Sequence, residues 1–120
     1  MKIANIMSRE VKLIKPDDTL RDAATLMKTI DAGALPVAEG DRLVGMITDG
    51  DLRRHMGPEL LKSRVQDIMT KKPNTLSPGM LASAALEQIN SLKRTQMFVV
   101  DKGKPIGVVH VHDLLRAGVA

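Results

Sequence analysis

Two short segments of this 120-residue chain carry side chains able to hold a polar ligand: Thr48-Asp49-Gly50-Asp51-Leu52-Arg53-Arg54 and His110-Val111-His112-Asp113-Leu114-Leu115-Arg116. A carboxylate placed where a strand gives way to a helix can accept hydrogen bonds from both hydroxyls of a ribose diol, so Asp51 and Asp113 are candidates for that task. Thr48 can donate its hydroxyl to a phosphate or sugar oxygen. Arg54 and Arg116, one turn further on, can reach phosphate in charge-assisted bonds, and the free N–H groups of a helix start suit the same anion. Gly45, in the strand before the first segment, would let a ligand come close to the backbone. A structural reading stands beside this one. Thr and Asp are common N-caps and first-turn acids, and solvated arginines need no function.

Other chemistries find little support. The chain has no cysteine, which excludes disulfides, thiolate metal sites and cysteine nucleophiles. It has no Ser-His-Asp spacing and no P-loop, so catalysis by this chain itself is not expected. His110 and His112 alternate as if along a strand and could begin a metal site, but no third ligand is spaced to complete it, and no metal is expected. Met27, Met46, Met69 and Met97 read as core filler. Phe98 is the single aromatic residue, so the stacking platforms used for single-stranded nucleic acid are missing and no nucleic-acid partner is expected. The net charge of +4 is spread along the chain and reads as a mixed charged surface. No apolar stretch approaches a membrane span and no signal-peptide core opens the chain, so the expected address is the cytoplasm.

The elements that must position these residues come from a duplication. Ile6-Met7-Ser8 recurs as Ile68-Met69-Thr70, and the same offset pairs Pro16 with Pro78, Ala23 with Ala85, Gly45 with Gly107, Asp51 with Asp113 and Arg54 with Arg116. Each copy predicts a β-prone segment (Val11 to Ile14; Asn74 to Leu76) and then an amphipathic helix. The helical stripe is Leu20, Ala23, Ala24, Met27 and Ile30 in the first copy, and Leu81, Ala85, Ile89 and Leu92 in the second. Thr19 and Asp22 have the spacing of a capping box. Two strands follow, Ala34–Ala38 and Leu43–Thr48, around a turn at Glu39-Gly40-Asp41. Their counterparts are Gln96–Val100 and Pro105–His110 around Lys102-Gly103. A last short helix starts near Asp51 and again near Asp113. The expected fold is therefore α+β, with tandem β-α-β-β-α repeats packed about a pseudo-two-fold axis. The predicted boundaries are 1–56 and 67–120, joined by a linker over 57–66 with a helical turn after Pro58.

Gly45-Met46-Ile47-Thr48-Asp49-Gly50-Asp51, the Ile-Met-Ser/Thr starts, Ala34-Leu35-Pro36-Val37 and the duplication together resemble the cystathionine-β-synthase-type (CBS) domain pair, or Bateman module. Gly107 to Val119, and Thr48 to Arg54, also resemble the CBS region of bacterial arabinose 5-phosphate isomerases. Residues 1–47 look more like stand-alone CBS proteins, which leaves a stand-alone or chimeric origin open. The resemblance implies a regulatory module that binds a small anionic ligand between its repeats, as the regulatory part of an isomerase-like protein. It also implies a homodimer of CBS pairs. In one implied cleft, Thr48 and Asp51 lie with Thr75, Gln96 and Met97. In the other, His110 and Asp113 lie with Lys12, Leu13, Ala34 and Leu35. The second copy departs from the pattern by placing His110 where Thr or Ser is expected, which favours the Thr48 cleft for an adenosine nucleotide. The implied ligands are AMP, ADP or ATP, or a cytidine-linked sugar nucleotide; no cofactor is required. The alternative is a dimerisation scaffold without a ligand.

Overall fold

The computed structural model describes residues 1–58 and 62–119. The helical turn expected after Pro58 falls on residues outside that description. The chain divides into two compact units, residues 12–73 and residues 1–11 with 74–120. These units are not the sequence repeats. Each takes its opening segment from the other copy.

In the unit of residues 12–73, Thr19 caps helix α1 (Leu20–Ile30) through a complete capping box. Its hydroxyl accepts from the Asp22 amide at 3.1 Å, and the Asp22 carboxylate accepts from the Thr19 amide at 3.0 Å. The amide and hydroxyl of Thr19 hold the Asp22 carboxyl below its ordinary range. A depressed carboxyl favours folding above its unfolded range and loses that effect as the pH falls through its folded range. Loss of the hydroxyl cap in Thr19→Ala is expected to lower stability near neutral pH, and, because the Thr19 amide stays on the Asp22 carboxylate, to flatten the acid limb of a urea-melt series only in part. Leu20, Ala23 and Met27 are buried on the inner face, whereas Ile30 reaches solvent. The helix stops at Asp31, whose left-handed backbone (φ 53°) lets the Ala32 amide reach back to the Met27 carbonyl at 2.9 Å.

Strands β1 (Ala34–Glu39) and β2 (Arg42–Thr48) form an antiparallel hairpin with a register shift between Val37 and Ala38. The β-prone segment before α1 contributes one bridge residue, Ile14, parallel to Val37, rather than a strand. On the other edge, Thr70 pairs with Met46 in both directions, at 2.9 and 3.0 Å. Helix α2 (Asp49–Arg54) follows β2 directly, and α3 (Val65–Ile68) leads into Thr70. Ile14, Leu20, Ala23, Met27, Leu35, Val37, Ile47, Leu52 and Val65 make the core of this unit.

The other unit repeats the plan. Helix α4 (Ala82–Ser91), strands β3 (Gln96–Asp101) and β4 (Lys104–His110), and helix α5 (Val111–Arg116) occupy the equivalent places. Leu76 bridges Val99 and Ser8 bridges Val108. Lys102 and Gly103 turn the β3–β4 hairpin with both φ values positive, as a two-residue turn of that twist demands. A 3-10 turn at Ile3–Asn5 matches α3 in position. The stripe expected on α4 is shifted. Leu81 is the N-cap and 56% exposed, Leu92 follows the helix and is 37% exposed, and the buried face is Ala82, Ala85, Leu86 and Ile89. Because the helix begins one residue after Leu81, the core-facing positions start at Ala82. No helix of the described residues is long and apolar enough to cross a membrane.

Candidate functional site

The local chemistry of Thr48, Asp51 and Arg54 follows from their spacing at the β2–α2 junction. Thr48 ends the strand in an extended backbone and caps the helix, its hydroxyl accepting from the Asp51 amide at 3.1 Å. Residue i+3 then faces the cap, so Asp51 returns the contact: one carboxylate oxygen accepts from the Thr48 amide at 2.9 Å. The other oxygen accepts from Arg54 at 2.5 Å. The Asp51 side chain is 10% exposed and that of Arg54 is 67% exposed, so the carboxylate is held and the guanidinium is at the surface. His55 adds a ring-nitrogen contact of 2.8 Å to the Asp51 carbonyl. Among the described residues, Asp51 is the buried charged group. A carboxylate has about four lone-pair directions, so two remain for another donor.

The second copy reproduces this arrangement with one replacement. Asp113 accepts from the His110 amide at 3.1 Å and from Arg116 at 2.6 Å. In place of a threonine hydroxyl, His110 Nδ1 accepts from the His112 amide at 3.2 Å. Asp113 is more open, with its side chain 28% exposed. His112 is the second residue of α5 and not part of a strand, and its ring stacks on that of His110 with centroids 4.8 Å apart. The alternation expected from sequence thus gives way to a helix turn, which brings the two rings together by a different route. No cluster of three metal-ligating side chains occurs among the described residues.

The other predicted residues fall on both units. Ala34 is the cross-strand partner of Thr48, and Gln96 is that of His110; Leu35 and Met97 are buried beside them as the partners of Ile47 and Val109. Thr75 precedes the bridge residue Leu76, and Lys12 and Leu13 precede Ile14. Leu13 also lines an open groove of about 350 Å³ with Lys15, Pro16, Asp17, Ala38, Glu39 and Gly40. That groove lies at the hairpin end of β1 and takes in none of Thr48, Asp51 or Arg54.

At Gly45 the space that a Cβ would take is filled by the chain itself. A Cβ there would lie 2.7 Å from Met69 Sδ and 2.9 Å from the Thr70 carbonyl oxygen, and at Gly107 it would lie 2.6 Å from Met7 Sδ and 2.9 Å from the Ser8 carbonyl. Both glycines admit the chain's own Ile-Met-Ser/Thr segments. The two halves of this contact, a glycine in the strand and a methionine 24 residues after Gly45 or 100 before Gly107, were both visible in the sequence. Nothing local joined them.

Hairpins of this kind, each with a capped carboxylate at the strand–helix junction, have relatives. The family model of the CBS domain matches residues 3–57 and again 65–120. This chain belongs to the CBS-domain family. The CBS pair is 37% identical over 121 residues to arabinose 5-phosphate isomerase KdsD of Francisella tularensis subsp. tularensis, covering 97% of this chain and 37% of that protein. It is also 37% identical over 124 residues to KdsD of Yersinia pestis, covering 99% of this chain and 38% of that protein. The chain thus spans little more than a third of the length of these relatives. Among solved structures, CBSX2 of Arabidopsis thaliana in complex with AMP is 25% identical, with a TM-score of 0.84 over 98% of this chain and 95% of that one.

Proposed function

We propose that this CBS pair is a regulatory module that senses an adenosine nucleotide or a sugar nucleotide, and that it serves as the regulatory part of an arabinose 5-phosphate isomerase-like protein. The observation that carries this reading is the held carboxylate of Asp51 with Thr48 and Arg54 beside it, repeated at Asp113. In this reading Asp51 accepts the two hydroxyls of the ribose on its free lone pairs. Arg54, exposed and long, swings from Asp51 to the phosphate; Thr48 donates to the same group. Thr75, Gln96, Met97, Lys12, Leu13, Ala34, Leu35, His110 and Arg116 are the further ligand contacts of this reading. The CBSX2 complex with AMP supports an adenosine ligand; a cytidine-linked sugar nucleotide is the alternative that end-product feedback on an isomerase-like protein would call for. Binding regulates only if one geometry of the pair takes the ligand better than another. We further propose that the working form is a homodimer of CBS pairs.

A second reading, an assembly scaffold whose carboxylates are caps and nothing more, is favoured by one observation. Both oxygens of Asp51 already have partners within the chain. A thermal-shift screen against AMP, ADP, ATP, CMP and cytidine-linked sugars separates the two. A ligand at 100 times its Kd stabilises by about 2.7 kcal/mol, enough to move the Tm of a chain of this size by several degrees. We expect that shift with at least one of these nucleotides, and its loss in Asp51→Ala, which also removes the acceptor that Asp51 gives to the Thr48 amide. No shift with any of them leaves the scaffold.

A further inference from the structure

The groove at the turn end of the β1–β2 hairpin holds side chains that the core does not use. Its apolar lining is Leu13, Pro16 and Ala38; the last two are buried, and Leu13 is 39% exposed. Lys15, Asp17 and Glu39 line it as well, all exposed, and no described residue of the chain pairs with the charged end of any of them. The backbone beneath is fixed. Ile14 holds β1 through bonds of 3.1 Å to the Pro36 carbonyl and 2.9 Å from the Ala38 amide. The Pro16 carbonyl accepts from the Gln66 amide at 2.9 Å, and the Asp17 carbonyl accepts from Arg64 at 3.0 Å. The second repeat builds the same hairpin, with the same register shift, from other side chains. It has Thr75 for Leu13, Ser77 for Lys15, Gly79 for Asp17 and the bulkier Val100 for Ala38, and keeps only an acid, Asp101 for Glu39. The fold is thus made without the first copy's exposed leucine, its lysine or its second carboxylate.

We propose that this groove binds a small aliphatic α-amino acid, at a site separate from the nucleotide contacts and sharing only Leu13 with them. One ammonium and two carboxylates around an apolar lining complement a zwitterion with a hydrocarbon side chain. Lys15 takes the ligand's carboxylate, Asp17 and Glu39 take its ammonium, and Leu13, Pro16 and Ala38 take the side chain. The volume of about 350 Å³ stands at the small end of ligand pockets. No aromatic ring lines it to stack a base, and two carboxylates beside one ammonium turn a phosphate away. Ion pairs at an exposed rim are individually weak, so recognition needs both charged ends and the side chain together. A ligand of this size binds such a groove with a Kd of about 0.1–1 mM.

Titration of the ¹⁵N-labelled intact protein with L-leucine, to about ten times that Kd, tests the proposal. We expect saturable shifts of the Lys15, Asp17, Glu39 and Gly40 amides. Two fragments are the controls: 4-methylpentanoate, which lacks the ammonium, and 3-methylbutylamine, which lacks the carboxylate. Each should bind at least about fivefold more weakly than leucine. Lys15→Ser, which copies the second repeat, should weaken leucine about fivefold. Ala38→Val, which also copies it, should abolish binding by filling the groove. Absence of saturable shifts at these amides would overturn the proposal. So would a fragment that binds as well as leucine, or an unchanged Kd in Lys15→Ser. If Ala38→Val does not fold, the fragments on the wild type and the exposed Lys15→Ser decide.

Discussion

Ile3→Ala is expected to destabilise the protein by about 3 kcal/mol, the range for emptying a fully buried isoleucine site, and to do so in the sheet that lies furthest away in sequence. Ile3 is completely buried and packs with Leu76, Ala82, Ile89, Val99 and Leu114, while its amide is held by the Met80 carbonyl at 2.9 Å. Its counterpart Val65, also fully buried, belongs to the core of residues 12–73, and its amide is held by the Asp18 carbonyl at 2.8 Å. Native-state hydrogen exchange should therefore show Ile3→Ala lowering protection first among residues 74–119, and Val65→Ala first among residues 12–56. The reverse distribution would mean that the opening segments serve their own repeats.

Gly107→Ala should cost about 2 kcal/mol, as overpacking of a tight site does. The added methyl would meet Met7 Sδ at 2.6 Å and the Ser8 carbonyl at 2.9 Å. The methionine can turn aside, but the carbonyl cannot, because Ser8 and Val108 exchange two backbone hydrogen bonds of 2.9 Å across that gap. Trimming Met7 in the same variant should thus recover only part of the loss. Gly45→Ala should behave alike through Met69 and Thr70. Gly79→Ala is the control: a methyl added there would have nothing within 4 Å, and its effect should stay within about 0.5 kcal/mol. Denaturant melts of the four variants check the set. Equal losses at Gly79 and Gly107 would show that close approach does not set the value of these glycines.

Several features were legible because their causes are local. The capping boxes at Thr19–Asp22 and Thr48–Asp51 depend on residues three apart, and both form as the spacing requires. The two hairpins follow from short polar turns between apolar runs, and the structure extends each strand by only a residue or so. Where two local rules competed, the phase slipped. Leu81 has helical spacing to Ala85, yet it stands at the cap, and the helix buries Ala82 and Leu86 instead. His112 alternates with His110 along the chain, but the strand ends at His110 and the next residues coil.

The sequence by itself determined the duplication, the family likeness and the short-range chemistry of each Asp, because all three live in residue identity at fixed spacing. Only the tertiary structure decided that Met7 and Ser8 pack on β4 while Met69 and Thr70 pack on β2. It also decided that the conspicuous glycines serve this contact, and that the β-prone segments shrink to the single bridges of Ile14 and Leu76. These contacts join residues as far apart as 8 and 108, and what selects them is the fit of a side chain over a bare Cα. No periodicity along the chain records that fit.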